Sequence, residues 1–527
     1  MGMRDVFHSM DALLGSPLVR SVAGLPMPAP TTDRVLKSTR LEDRVYDGLR
    51  SGDGQMDDLE NECAAKLDTF PALARDIYQS VYTLAVQKTP EEELSGTARR
   101  LNRSILENLM DDDKYHALKT ACEGRATPAY DAACEFISSI AGDLDELLKK
   151  GTGEKKTLDL LAQKERQRDG LAEKLKDLLA QRETGGDNPT LDREALACAN
   201  KLQSAVNQAR HLARTVDDQM LANREDVRAL VAKAAEAAAG RAEETSLILS
   251  CWGGDPADPQ SAPVNRDILK RIRGSKLLMD ITRELGRLRQ IAGAARRDSY
   301  QYGLGERYTI EEGNRLSQVL TPQLALLALP ETVPLFIRKF QGRSLKQYRR
   351  REPIKAGRGA IIYCRDESGS VAGDALAWSK ALALMMLGVA AREGRAFALV
   401  HYASADSVKT DLFLPGQYGP EEMLAAAELV LGGGTDFEAP LTEALGLMER
   451  EEFRRADVIF SSDGECEVSP TFLERFKARQ EKLGFTVTGL LMDQGYAFTS
   501  AMEQFCGKLY RTSQMGRDDI AGELARM

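Results

Sequence analysis

From Leu41 to about Cys134 apolar residues recur at helical spacing, broken at Thr89-Pro90 and Thr127-Pro128, and this predicts several medium helices with little strand-like alternation. The stretch Leu158 to Arg182 places Leu158, Leu161, Leu171, Leu175 and Leu178 on one helical face. Thr184-Gly185-Gly186-Asp187-Asn188-Pro189 then breaks the pattern, with Asn188 suited to a cap and Pro189 to the first helical position. Beyond it Ala195, Cys198, Leu202, Ala205, Ala209, Leu212 and Val216 step alternately by three and four, the spacing of a coiled-coil seam. The two segments predict a helical hairpin within about 155–250, and packing inside a larger bundle is favoured over a dedicated partner arm. An Ala-rich helix runs on to about Ser250, where Cys251-Trp252-Gly253-Gly254-Asp255-Pro256 ends it. Asp267 to Ile291 is a further helix with Leu277, Leu278, Ile281, Leu285 and Leu288 on its buried side, and Thr321 to Pro334 reads as short helices.

The period changes after about Gly357. Short apolar runs at Ala360–Cys364, Ala396–Val400, Val458–Phe460 and Val487–Leu491 alternate with helical patterns at Ala375–Ala391, Pro420–Leu431, Glu438–Arg450, Pro470–Leu483 and Phe498–Leu509. Strands alternating with helices imply a doubly wound, mostly parallel sheet of Rossmann-like form. The expected organisation is therefore multidomain: an all-α bundle over 1–335, a connector over 336–356 and an α/β domain over 357–527.

Charged residues make up 29% of the chain and aromatics 6%, a balance that favours soluble helical structure. A net charge of −9 argues against a surface built throughout to neutralise phosphates, so nucleic acid is not the expected partner. The exception is 338–358, where nine basic residues stand against Glu352 alone, as either a solvated linker or a docking surface. Eight cysteines form no C-x-x-C pair, and with four histidines no zinc site is legible. The N-terminal residues lack a signal-peptide pattern, Gly2 lacks the Ser or Thr of a myristoylation signal, and the longest apolar run, Ala381 to Ala391, is too short to span a bilayer. A cytoplasmic protein with reduced thiols is expected.

In doubly wound sheets the ligand crevice lies outside the carboxyl ends of the strands. Three oxygen-bearing loops fall there: Arg365-Asp366-Glu367-Ser368-Gly369-Ser370, Thr435-Asp436 after the triple glycine, and Ser461-Ser462-Asp463-Gly464-Glu465. Asp366, Ser368, Ser370, Thr435 and Asp463 supply the oxygens a hard cation such as Mg²⁺ wants, with two carboxylates to balance its charge. Glu367 beside them either adds negative charge to the metal or faces solvent.

This D-x-S-x-S, Thr, Asp set resembles the metal-ion-dependent adhesion site (MIDAS) of von Willebrand factor A (VWA) domains, and all five positions match. The resemblance implies that the serines bind Mg²⁺ or Mn²⁺ directly, that the other three bind directly or through water, and that a partner's acidic side chain completes the shell. The helical N-terminal region, the Ile281–Leu288 helix, the basic run and the terminal domain together resemble ViaA-type proteins, which are cytosolic partners of MoxR-family AAA+ ATPases. A chaperone-like adaptor for such an ATPase is the implied function. The alternative is a Ro-type RNA-binding protein, whose mark would be a basic helical face. Neither reading is of an enzyme: there is no G-x-x-x-x-G-K-[ST] loop, His401 has no Ser or Cys motif pointing at it, and the resemblance gives Glu465 no role as a base.

Overall fold

The computed structural model describes residues 31–152, 155–185, 189–299, 307–314, 316, 319–329, 331–350, 359–371, 373–463, 466–493 and 501–527. The chain forms two compact units, Met1–Lys270 and Arg271–Met527.

Among its described residues the first unit is helical, and its one strand pair is minimal and antiparallel, Leu36–Lys37 with Gln87–Lys88. The predicted hairpin is present as α1 (Lys155–Gly185) and α2 (Pro189–Ala222), and Leu175, Leu178, Ala195, Cys198 and Leu202 share one apolar core. Of the predicted seam, Ala205, Ala209 and Val216 are buried and Leu212 is half-buried. The Asn188 cap lies outside the described residues. The Ala-rich helix α3 (Arg224–Trp252) buries Ala234, Ala235, Ala238 and Ala242. Their small side chains let the helix Ala126–Gly142 pack closely along it. Gly253, left-handed at φ 77°, ends α3, a conformation that costs a residue with a Cβ.

The predicted 267–291 helix is split in two, and its larger second part lies in the second unit. Ala262–Arg273 ends at Gly274-Ser275, and Ser275 Oγ accepts from Leu278 N at the start of α4 (Lys276–Ser299). Helix α4 buries Leu278, Ile281, Leu285 and Leu288 and packs on the α/β layer, so it belongs with the sheet rather than with the helical region to which the sequence pattern assigned it. The stretch 307–350 also departs from expectation. It folds as strand β1 (Arg307–Gly313), short helical turns at Thr321–Leu324 and Ala325–Leu327, α5 (Val333–Gln341) and β2 (Leu345–Arg350), with β1 and β2 antiparallel. The expected basic connector is thus folded over its first part, and its residues 351–358 lie outside the described ones.

The α/β layer follows as β3 (Ile361–Asp366), α6 (Asp374–Glu393), β4 (Phe397–Tyr402), β5 (Val408–Phe413), α7 (Pro420–Glu428), α8 (Glu438–Leu447), β6 (Asp457–Ser462), α9 (Pro470–Leu483), β7 (Val487–Leu491), β8 (Lys508–Arg511) and α10 (Arg517–Ala525). The sheet order is β8-β7-β6-β3-β4-β5, parallel throughout except for the antiparallel β4–β5 pair. Where a helix was expected over 498–509, Ala501–Gln504 is a single tight turn and Lys508–Arg511 is the edge strand. Helix α6 is the one described helix long and apolar enough to cross a membrane. Its burial accounts for that composition: β3 and β4 cover one side and α4 and α10 the other.

Candidate metal centre

Strand order reverses at β3: the next strand, β4, lies on one side of it and β6 on the other. Such a switch point opens a crevice at the carboxyl ends of the strands. The crevice rim is tied together by main-chain hydrogen bonds. Glu367 N donates to Tyr402 O (2.7 Å), Gly432 N to Glu367 O (3.0 Å), Gly369 N to Gly433 O (3.2 Å) and Asp436 N to Ala403 O (2.8 Å). Gly432 and Gly433 reach φ 71° and 101°, so the loop that carries Thr435 can approach the D-x-S-x-S loop only with glycine there. Asp436 is committed elsewhere, since its carboxylate accepts from Glu438 N and Ala439 N at the start of α8.

Four of the five predicted donors form one chain of contacts. Ser368 N donates to Asp366 Oδ1 (2.9 Å), the Oγ atoms of Ser368 and Ser370 lie 3.0 Å apart, and Ser370 Oγ donates to Asp463 Oδ1 (3.0 Å). Thr435 is half-buried on the adjoining loop. Asp366 and Ser368 are buried whereas Ser370 is exposed, so the cluster opens to solvent on one side only. Ser462, which the sequence reading passed over, donates to Asp366 Oδ2 at 2.6 Å and orients that carboxylate. Burial raises the Asp463 carboxyl above its ordinary range, and the charge of Asp366 adds to this while Ser370 opposes it. Two carboxylates that disfavour each other's charge across a line of hydroxyls are a donor set that a hard dication fits. Among the described residues no three of His, Cys, Asp and Glu gather as a metal site, so this set depends on its hydroxyls. Glu465 lies outside the described residues.

Glu367 neither faces solvent nor points at the donor set. It is fully buried, ion-paired to Arg365, 2.9 Å from His401 Nδ1 and 3.7 Å from Lys380 Nζ. Lys380 donates to Ala427 O (2.7 Å) and Leu429 O (2.5 Å) at the end of α7. His401 Nε2 lies 3.0 Å from Asp411 Oδ2 on β5, and Nδ1 lies 2.9 Å from Arg365 Nη2. A neutral ring meets Asp411 and Arg365 when Nε2–H donates to the first and Nδ1 accepts from the second, and it then offers no proton to Glu367. Burial pushes His401 down to about 4, Lys380 to about 6 and Arg365 to about 9, with the Arg365 charge also acting on Lys380. This ionic cluster fixes the backbone on both sides of Asp366 from within the core.

No family model matches the chain. An uncharacterized protein of Methanocaldococcus jannaschii is 31% identical over 208 residues, which are 39% of this chain and 47% of that protein. A second from the same organism is 26% identical over 239 residues, 45% of this chain and 60% of the relative. The chain thus spans about half the length of the curated relatives it matches. Among solved structures, the SpRpn10 VWA domain (16% identity, TM-score 0.26) covers 31% of this chain and 93% of its own. A von Willebrand factor type A protein from Catenulispora acidiphila (16%, 0.26) covers 32% of this chain and 43% of its own, and proximal thread matrix protein 1 of the mussel byssus (18%, 0.25) covers 32% and 47%. At these TM-scores the functional reading rests on the residues of this chain.

Proposed function

We propose that the second unit is a VWA-like protein-interaction domain with a MIDAS, and that the chain is a metal-dependent adaptor for a MoxR-type AAA+ ATPase. The observation that carries the first part is the chain of oxygens from Asp366 through Ser368 and Ser370 to Asp463 at the switch point of the sheet. Bound Mg²⁺ or Mn²⁺ would supply an electrophilic position for a carboxylate of a client protein. This chain's part is to hold the donors: Ser462 and Ser368 N fix the two oxygens of Asp366, the glycine turn ties the loop that carries Thr435 to the D-x-S-x-S loop, and Ser370 presents the open side. Without the cation, Asp366 and Asp463 would repel the incoming carboxylate.

Calorimetric titration of the full chain with Mg²⁺ or Mn²⁺ is expected to show binding, weakened on the order of 100-fold in Asp366→Ala. Equal binding by both proteins sinks the metal assignment. The ATPase part is supported by the ViaA-type resemblance and by the lack of a nucleotide loop in this chain. Co-elution with a MoxR-type ATPase and a changed rate of ATP hydrolysis are the expected results on mixing. No co-elution and no change, with or without EDTA, rejects the adaptor reading. Binding that survives both EDTA and Asp463→Ala assigns the metal to the client instead.

A further inference from the structure

Among the described residues between Arg307 and Arg350, in the small module between α4 and β3, Val319, Phe336 and Leu345 form a buried apolar group, with Leu326 and Phe340 partly buried against them. Helix α5 reads Val333-Pro-Leu-Phe-Ile-Arg-Lys-Phe-Gln341 and is apolar around most of its circumference, yet only Phe336 is buried. An all-round apolar helix belongs in a core, and this one is covered on one side. Leu335 (46% exposed) and Ile337 (47%) stand out from it, Leu327 (48%) and Leu329 (58%) from the preceding turns, and Ile310 (54%) from the outer face of β1. Of the fourteen exposed large apolar side chains among the described residues, seven fall between Ile310 and Ile337. Apolar residues scattered singly over a surface are ordinary, whereas this concentration marks a contact surface.

The charge of the module selects the occupant. Residues 307–350 carry eight basic side chains and three acidic ones in a chain of net charge −9. Arg338 and Arg343 are exposed and form no ion pair among the described residues. Arg343 is held in the left-handed conformation at φ 51° by the turn after α5, where Ser344 N donates to Lys339 O (2.8 Å). Exposed cations beside exposed aliphatic side chains fit a segment that alternates leucine-like residues with carboxylates. A membrane-surface anchor is usually one long amphipathic helix, whereas here the apolar residues come from a ribbon, turns and a nine-residue helix. A nucleic-acid platform presents aromatic rings, and the exposed residues here are aliphatic.

We propose that the surface carrying Ile310, Leu327, Leu329, Leu335, Ile337, Arg338 and Arg343 is a docking surface for an acidic amphipathic helical segment of a partner protein, separate from the metal centre.

The test uses the full chain and a fluorescein-labelled synthetic helix of Leu, Ala and Glu with Leu at helical spacing, followed by anisotropy. Saturable binding that EDTA leaves unchanged is expected, because no residue of the candidate metal centre belongs to this surface. Two double variants, Leu335→Glu with Ile337→Glu and Arg338→Glu with Arg343→Glu, should each weaken it by on the order of tenfold. The second variant should recover binding to the same peptide with Lys in place of Glu. Both variants must keep the wild-type circular dichroism and Mg²⁺ titration, so that lost binding cannot be assigned to misfolding. Absence of peptide binding, or equal binding by wild type and variants, overturns the proposal. So does a self-association seen in sedimentation that Leu335→Glu with Ile337→Glu abolishes, or binding that appears only after residues 1–30 are deleted. A preference, through these same residues, for phosphatidylserine vesicles or single-stranded RNA over the peptide overturns it as well.

Discussion

Replacing Glu367 by Gln is expected to destabilise the second unit by about 3–5 kcal/mol, the usual cost of removing one partner from a buried ionic cluster. The substitution keeps the shape and removes the charge, so packing contributes little to the loss. What remains is Arg365, fully buried, with its Nε already lacking a hydrogen bond, facing Lys380 without an intervening carboxylate. Urea unfolding followed by circular dichroism measures the effect, and a loss under about 1 kcal/mol would show that the cluster does not stabilise the fold. Replacing the ion pair together, with Arg365→Met and Glu367→Leu, should cost less than the single change, since no charge is then left stranded. The Mg²⁺ affinity of Glu367→Gln is the second readout. Both neighbours of Glu367, Asp366 and Ser368, belong to the proposed donor set, so loosening their anchor should weaken cation binding even where the protein remains folded.

Why this cluster was hidden in the sequence is instructive about what a linear pattern carries. The four core strands β3, β4, β6 and β7 are short runs of buried apolar residues, and such runs are visible without knowing their neighbours. The five candidate donor positions are equally visible because each sits at a strand exit or a helix entry. Glu367 is not, because its partners come from three elements: Arg365 on β3, Lys380 within α6 and His401 on β4. Lys380 in particular looks like the polar end of the apolar run Ala381 to Ala391, whereas it lies inside a longer helix and is satisfied by two carbonyls. The edge strands escaped notice for another reason. Strand β5, Val-Lys-Thr-Asp-Leu-Phe, buries only Phe413, and β8 buries only Tyr510, so neither shows an apolar run. The β1–β2 ribbon shows no apolar run for the same cause, so β1 reads as part of the helical region and β2 as connector. Helix α4 was assigned to the wrong side of the unit boundary because periodicity reports that a face is buried and not what buries it.

Acidification should expose the His401 part of the cluster as a loss of stability with a defined window. Burial holds the folded ring at about 4, against about 6.5 for an unfolded chain. Above about pH 6.5 both states carry a neutral ring, and the group contributes no pH dependence. Between about pH 6.5 and pH 4 the unfolded chain takes up a proton that the folded protein refuses, so the free energy of unfolding falls as pH falls. Below about pH 4 both states are protonated and the loss levels off. The difference corresponds to about 3 kcal/mol. Lys380, pushed down to about 6, acts in the same direction over a higher range, where the unfolded side chain is charged and the buried one is neutral. Asp411, held below the usual carboxylate range first by its hydrogen bond from His401, adds a further loss as pH drops towards its own titration. To isolate the ring, unfolding is measured at pH 7 and pH 4 for the wild type and for His401→Gln. The Gln amide can donate to Asp411 and accept from Arg365 as the neutral imidazole does, but it takes up no proton. The wild type should lose about 3 kcal/mol more than the variant between the two pH values. Equal losses would mean that the folded ring titrates as an unfolded one does, and a smaller loss in the wild type than in the variant would mean that His401 is already protonated in the folded cluster at neutral pH, paired with Glu367 and Asp411 on its two nitrogens.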